Sequence, residues 1–245
     1  MPQKTTPLRP VLAASALALL AAGCNTVQNQ TLNSEGVALY KQGAYQQAAG
    51  KFQEAIAKRP DLGDGYYNLA AAMHQSGVRF NRPDDLKQAE TLYNQALERS
   101  PDHAECYRGL AVLLKETGRP DASYRLLNNW AVASPTNPNP HVEMARLLEE
   151  GQRSEEAESQ LVQALTIEPN DARALAALGR LRDQSGDYQQ ALQNYQRSLD
   201  VNQYQPQVAA RVATLQGATG APPLATGTTT GTRLATQPNS PPVRY

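Results

Sequence analysis

From about Leu32 to Gln203 the apolar residues recur three and four positions apart, the spacing of an amphipathic helix, and short polar or glycine-containing stretches interrupt them every dozen residues or so. One such stretch carries Tyr107, Leu110, Ala111 and Leu114, and the next carries Leu126, Leu127 and Trp130. Two helices of this kind, joined by a turn, make a hairpin with an apolar face it cannot bury alone. The hairpin repeats. Prolines fall at Pro60, Pro101, Pro135 and Pro169, in steps of 41, 34 and 34. A small column runs Gly36, Ala70, Ala111, Ala145, Gly179, and a second runs Ala48, Ala89, Ser123, Ala157, Ala191. A large column runs Phe52, Tyr93, Leu127, Leu161, Tyr195. The small positions let paired helices approach, and the large ones fill the groove between them. Gly43, Gly77, Gly118, Gly151 and Gly186 are expected in the turns, where glycine takes a left-handed conformation at little cost.

These columns resemble the tetratricopeptide repeat, whose pattern is W-x₂-L-G-x₂-Y…A-x₃-F…P. The matching stretches are Tyr66-x₂-Leu69-Ala70, Tyr107-x₂-Leu110-Ala111 and Leu175-x₂-Leu178-Gly179. The resemblance implies an all-α, right-handed solenoid of about five helix-turn-helix repeats over residues 31–216. Gln203 stands where the fifth repeat would have its proline. The helix expected from Pro206 to Gln216, with Val208, Val212 and Leu215 on one face, reads as a cap.

Two positions depart from the pattern. The second repeat has seven extra residues in its inter-helix turn, "GVRFNRPDDLKQ", which reads either as a tolerated turn extension or as a partner-contacting finger carrying Arg79, Phe80 and Arg82. Trp130 stands in a column otherwise occupied by Ala55, Ala96, Ala164 and Ser198, and its ring is expected to fill a local gap.

The ends of the chain differ from its middle. Lys4 and Arg9 precede an apolar run from Val11 to Gly23, too short at about 1.5 Å per residue to cross a bilayer core of about 30 Å. It has the length of a signal-peptide core, and Leu20-Ala21-Ala22-Gly23-Cys24 resembles a bacterial lipobox, with Ala21 where leucine is most usual. The resemblance implies cleavage of residues 1–23 and lipidation of Cys24. Acyl chains contribute about 0.8 kcal/mol per buried CH₂, so several give stable anchoring. Asn25 in place of Asp points to the outer membrane, facing the periplasm. Residues 24–30 would be a short tether. Residues 217–245, rich in Thr, Ala, Gly and Pro with almost no charge, are expected to be a disordered tail.

Charge and composition narrow the function. Twenty-three basic residues balance 23 acidic ones, which gives no reason to expect nucleic acid. The two cysteines, Cys24 and Cys106, exclude a disulfide scaffold and a cysteine-rich metal site. His74, His103 and His141 fall in different repeats, and no hydrolase, zinc-protease or phosphate-loop motif is present. Glu149-Glu150 and Glu155-Glu156 read as solvated helix faces. No enzyme activity, cofactor, metal or small-molecule substrate is expected.

What remains is a surface for a protein or peptide. In the resembled family, the first helix of each repeat builds the inner, concave face. The positions one step from the buried stripe are Arg108, Val112 and Lys115, with Tyr40, Tyr67, His74, Arg146 and Arg180 at equivalent places. Such a basic and aromatic groove suits an extended or helical peptide, an acidic or carboxylate end included. A solvated face without a ligand is the alternative. The layout resembles pilus-assembly lipoproteins of the pilotin and Flp/Tad kinds. A subunit of an envelope-polymer synthesis or export complex is the other reading.

Overall fold

The computed structural model describes residues 30–219, and among them every regular element is a helix: eleven in all. The expected signal segment, Cys24, the expected tether up to residue 29 and the expected tail from residue 220 lie outside the described residues. Helix α1 covers residues 30–41 and pairs with α2 (Tyr45–Lys58). The later hairpins are α3 (Gly63–Arg79) with α4 (Pro83–Arg99), α5 (Ala104–Glu116) with α6 (Pro120–Ala133), and α7 (Asn139–Glu150) with α8 (Ser154–Ile167). The fifth is α9 (Ala172–Gln184) with α10 (Tyr188–Val201), and α11 (Pro206–Thr219) follows. Each helix packs on the next, and α3 also touches α5 while α5 touches α7, so the first helices of successive hairpins lie side by side.

Local chemistry sets the boundaries. Pro83 and Pro120 open α4 and α6 at their first position, where no N–H is needed. The Asp171 carboxylate accepts from the amides of Arg173 and Ala174 and starts α9, and Asp187 does the same for α10 through Gln190. Pro60, Pro101, Pro135 and Pro169 all fall between hairpins, as expected. Gly43, Gly118 and Gly186 take φ of 78°, 77° and 86° in the intra-hairpin turns. Gly77 and Gly151 do not. Gly77 lies inside α3, where an added Cβ would stand 2.6 Å from Leu86, so close helix approach demands a glycine there. The left-handed turn positions belong instead to Asn81 (φ 51°) and Gln152 (φ 60°).

The seven extra residues of the second hairpin form no long loop. Helices α3 and α4 each have 17 residues, against 13 in α5 and 14 in α6, and the excesses of four and three account for all seven. The hairpin is longer by about one turn per helix. Leu86 packs over Gly77, and the Ser76 hydroxyl donates to Asp85 at 2.8 Å, so the extension is held from both sides. Arg79 ends α3, and only Phe80, Asn81 and Arg82 form the turn.

The core runs along the stack as linked clusters. Phe52, Tyr66, Leu69, Tyr93 and Leu110 belong to the first three hairpins, and Leu127, Trp130, Met144 and Leu147 join the third to the fourth. Small and large columns meet as expected: a Cβ on Gly36 would lie 2.5 Å from the Phe52 ring, and one on Gly179 would lie 2.7 Å from Tyr195. Trp130 is buried, stacks on Tyr107 with centroids 4.1 Å apart, and donates to Asp102 at 3.1 Å. It fills a gap, as its column implied. Val212 and Leu215 of α11 close the end of the core against Ala191, Leu192 and Tyr195. The cap is longer than expected, running through Gly217 to Thr219, and at the other end Gln30 is already helical.

Candidate functional site

A groove of about 430 Å³ lies along the first helices of the last three hairpins. Arg108 enters it from α5. Helix α7 supplies Val142, Glu143, Arg146 and Glu149, and α9 supplies Arg173, Ala176, Ala177 and Arg180. Gln205, just before α11, and Gln207 and Val208 within it form the end wall. The lining is therefore an apolar strip of alanine and valine flanked by arginines, and the capping helix closes one end.

Glu143 organises this lining. Its side chain is 2% exposed, and three guanidinium groups share it. Arg108 donates through Nε at 2.9 Å and Nη2 at 2.5 Å, Arg146 donates through Nε at 3.3 Å, and Arg173 Nη1 stands 3.7 Å away. Burial pushes the carboxyl pKa up, but the Arg108 hydrogen bonds and the charges of Arg108 and Arg146 outweigh it and hold Glu143 below the usual carboxylate range. An unpaired carboxylate would be expensive in such a place, and this one is paired and hydrogen-bonded.

The same logic extends along the stack. Lys115 donates to Glu150 at 2.6 Å, and Glu150 also accepts from Arg146. Arg180 holds Glu149 with two bonds, at 3.1 and 2.6 Å, and Arg211 of the cap holds Asp183 at 2.5 and 2.6 Å. The Lys115, Arg180 and Arg211 links each cross from one repeat to its neighbour. Asp183 is held below the usual carboxylate range by the Arg211 hydrogen bonds. The result is a ladder of ion pairs that fixes neighbouring first helices in register.

The expected surface residues divide in two. Arg108, Lys115, Arg146 and Arg180 do face one side of the molecule, with Val112 half-buried among them. None is a free cation. Glu149 and Glu150 are partners in the ladder rather than a solvated face. Tyr40 and Tyr67 are half-buried and pack on the core of the first hairpins. Tyr67 lies against His103 with ring centroids 4.7 Å apart, and burial raises its pKa. His74 does not belong to the surface. It is 3% exposed, with Nε2 2.8 Å from Glu116 and its ring edge-on to Tyr93. The lengthened second hairpin and the last turn of α5 close over it.

At the tip of the long hairpin, Phe80 is half exposed, and the Arg82 guanidinium lies 5.5 Å from its ring centroid. These two residues, with Tyr45, Gln46 and Gln47, border a smaller notch beside the α1–α2 turn. Arg79 is exposed at the end of α3. The tip does not reach the arginine groove.

Cys106 is buried, donates to the Tyr93 carbonyl at 3.2 Å, and has its thiol pKa pushed up to about 12 by burial. That is the environment of an inert structural thiol. Among the described residues, no group of three or more His, Cys, Asp or Glu is placed to hold a metal ion. No described helix is long and apolar enough to cross a membrane.

Sequence reasoning missed Glu143, Arg173 and the cap residues Gln205 and Gln207. A signal was present: Glu143 follows Arg108, and Glu150 follows Lys115, by 35 residues, one repeat plus one position. Profiles of the tetratricopeptide repeat match residues 36–77, 83–139 and 142–215, which together take in the groove and most of the stack.

The chain belongs to the tetratricopeptide repeat family. The helices agree with this. A thermophilic tetratricopeptide protein of Thermus thermophilus superposes with a TM-score of 0.56 at 22% identity, covering 76% of this chain and 98% of that one. Pseudomonas aeruginosa pilF superposes at 0.52 with 16% identity, covering 80% and 86%. Yeast Tom70 superposes at 0.61 with 20% identity, covering 82% of this chain and 41% of that protein. At these identities the likeness is one of fold. A search of curated proteins finds no match. Tetratricopeptide arrays are generally non-catalytic scaffolds that bind proteins or peptides.

Proposed function

We propose that the protein is a lipid-anchored docking scaffold of the bacterial envelope, seating a segment of a partner protein in the groove between α5, α7, α9 and α11. The groove carries the reading. It is concave, arginine-lined, floored by small apolar residues, and braced by an ion-pair ladder across neighbouring repeats. A preorganised surface loses little entropy on binding, which favours docking as its task.

The anchor rests on the sequence: a charged start, a short apolar run, and the lipobox-like ending at Cys24. Asn25 favours the outer membrane and a periplasmic solenoid. Pilus or secretion-system assembly is the pathway we favour, from the resemblance in layout to lipoproteins of that kind. The fold shared with pilF is compatible with it.

Two experiments test the proposal. Cys24→Ser should leave the protein unprocessed or soluble on fractionation, and normal processing with membrane attachment would refute the anchor. A cross-linked pull-down from native membranes should recover a secretin, pilin or secretion ATPase. Recovery of glycosyltransferases or polymerases would replace that pathway with envelope-polymer synthesis or export.

A further inference from the structure

We infer that the cleft under the tip of the long hairpin is a second docking site, separate from the arginine groove, and that it takes a neutral aromatic side chain presented by a partner protein.

A glycine with no internal task points to it. Gly50 lies within α2, where glycine weakens a helix relative to alanine. At Gly36, Gly77 and Gly179 a Cβ would strike a neighbouring side chain, but a Cβ on Gly50 would meet nothing within 4 Å beyond its own stretch of α2. The other second helices carry Thr91, Arg125, Ser159 and Gln193 at the same place. The bare backbone of Gly50 borders a cavity of about 220 Å³, together with Ala49, Gln53 and Met73. Close approach of another chain is what a glycine in such a position permits.

The lengthened hairpin completes the cleft. It carries Phe80 and Arg82 to the α1–α2 turn, where they border a second cavity of about 280 Å³. The two cavities adjoin, with Tyr45, Gln46 and Arg82 in the walls of both. Together they fall within the usual range of a ligand pocket, about 300–1,000 Å³.

Charge and ring chemistry select the occupant. The lining carries one cation and one anion, and both are engaged. Arg82 lies 3.9 Å from Asp85 and faces the amide oxygen of Gln46, and Asp85 accepts from Ser76. A charged ligand would find no opposite charge left for it. A ring would find several partners. Phe80 is half exposed, and Tyr45 is held edge-on by Tyr40 with centroids 5.4 Å apart. These rings, the Met73 thioether and the Arg82 guanidinium all favour an aromatic side chain over an aliphatic one. Gln47 and Gln53, exposed at the rim, offer amides to the main chain on either side of it.

The test titrates the purified, isotope-labelled full chain with four acetylated and amidated pentapeptides: QGWGQ, and its versions with leucine, glutamate or lysine in place of tryptophan. Amide chemical shifts report the binding. QGWGQ should move the amides of Gln46, Gly50 and Gln53 and leave those of Arg180 and Gln207 in place. The leucine peptide should bind about fivefold more weakly, the loss expected for ring-specific contacts, and the charged peptides should not bind. Phe80→Ala should weaken QGWGQ about tenfold with little change in the melt. Gly50→Ala should raise the melting temperature yet weaken QGWGQ about threefold or more, because the added methyl occupies the surface the peptide rests on. No shift at Gly50, equal binding of the leucine peptide, or undiminished binding by Gly50→Ala would each overturn the inference. So would dimerisation that Phe80→Ala abolishes, or a native Gly50 shift that changes on deletion of residues 220–245, since these would assign the cleft to a second copy or to the chain's own end. The four-peptide comparison uses the unmodified protein and decides the matter even where a variant does not fold.

Discussion

Replacing Glu143 by glutamine keeps the size of the side chain and removes the charge that three arginines share. Glu143 is 2% exposed, whereas Arg108, Arg146 and Arg173 are 40%, 31% and 45% exposed and can recover part of their hydration. Breaking a fully buried ion pair costs about 3–5 kcal/mol, and the solvent reaching the arginines reduces this to about 2 kcal/mol here. For a domain of this size, such a loss lowers the melting temperature by about 4–8 °C. The dependence on pH makes the test specific. The folded carboxyl lies below its ordinary value of 4.5, so its contribution is complete above 4.5 and disappears as pH falls through the lower folded value. Thermal melts followed by helical circular dichroism should therefore separate Glu143→Gln from the parent at neutral pH. The two should converge in acid, where the parent also loses the charge. Equal melting temperatures at neutral pH, or a gap that persists unchanged in acid, would refute the hub.

Other substitutions probe the packing and the cap. Trp130→Ala should cost about 3–5 kcal/mol in denaturant unfolding, since it removes a buried ring, its stack on Tyr107 and a hydrogen bond to Asp102. Gly179→Ala should destabilise by about 1–3 kcal/mol because its Cβ would stand 2.7 Å from the Tyr195 ring, while Gly50→Ala, with open space around it, should be neutral or stabilising by up to about 1 kcal/mol. Val212→Asp with Leu215→Asp should detach α11, expose Tyr195 and lower the melting temperature, and an unchanged melt would remove α11 from the core.

Much of the fold was legible because a repeat writes the same packing problem five times. Gly36 with Phe52, and Gly179 with Tyr195, show the small and large columns solving it as the pattern implied. The second hairpin was misread because an insertion next to a glycine looks like a longer turn. Its residues continued the helical spacing instead, and Gly77 served contact with Leu86 rather than a left-handed bend. The groove was only half legible. Placing Arg108, Arg146 and Arg180 on one side needs only the helical period, but knowing that Glu143 lies beneath two of them requires the offset between stacked hairpins. That offset also changes how the groove must be tested. Glutamates at Arg108 and Arg146 would face the buried Glu143, so charge reversal there would report on folding as well as on binding.

The most direct test of the docking surface is in-cell photo-cross-linking from two positions of the native protein. Gln207 is exposed and lines the end of the groove, and Val162, also exposed, lies on α8 outside its lining. A photoreactive residue at 207 should trap a discrete partner, and one at 162 should trap none. A partner captured from 162 with nothing from 207 would contradict the account.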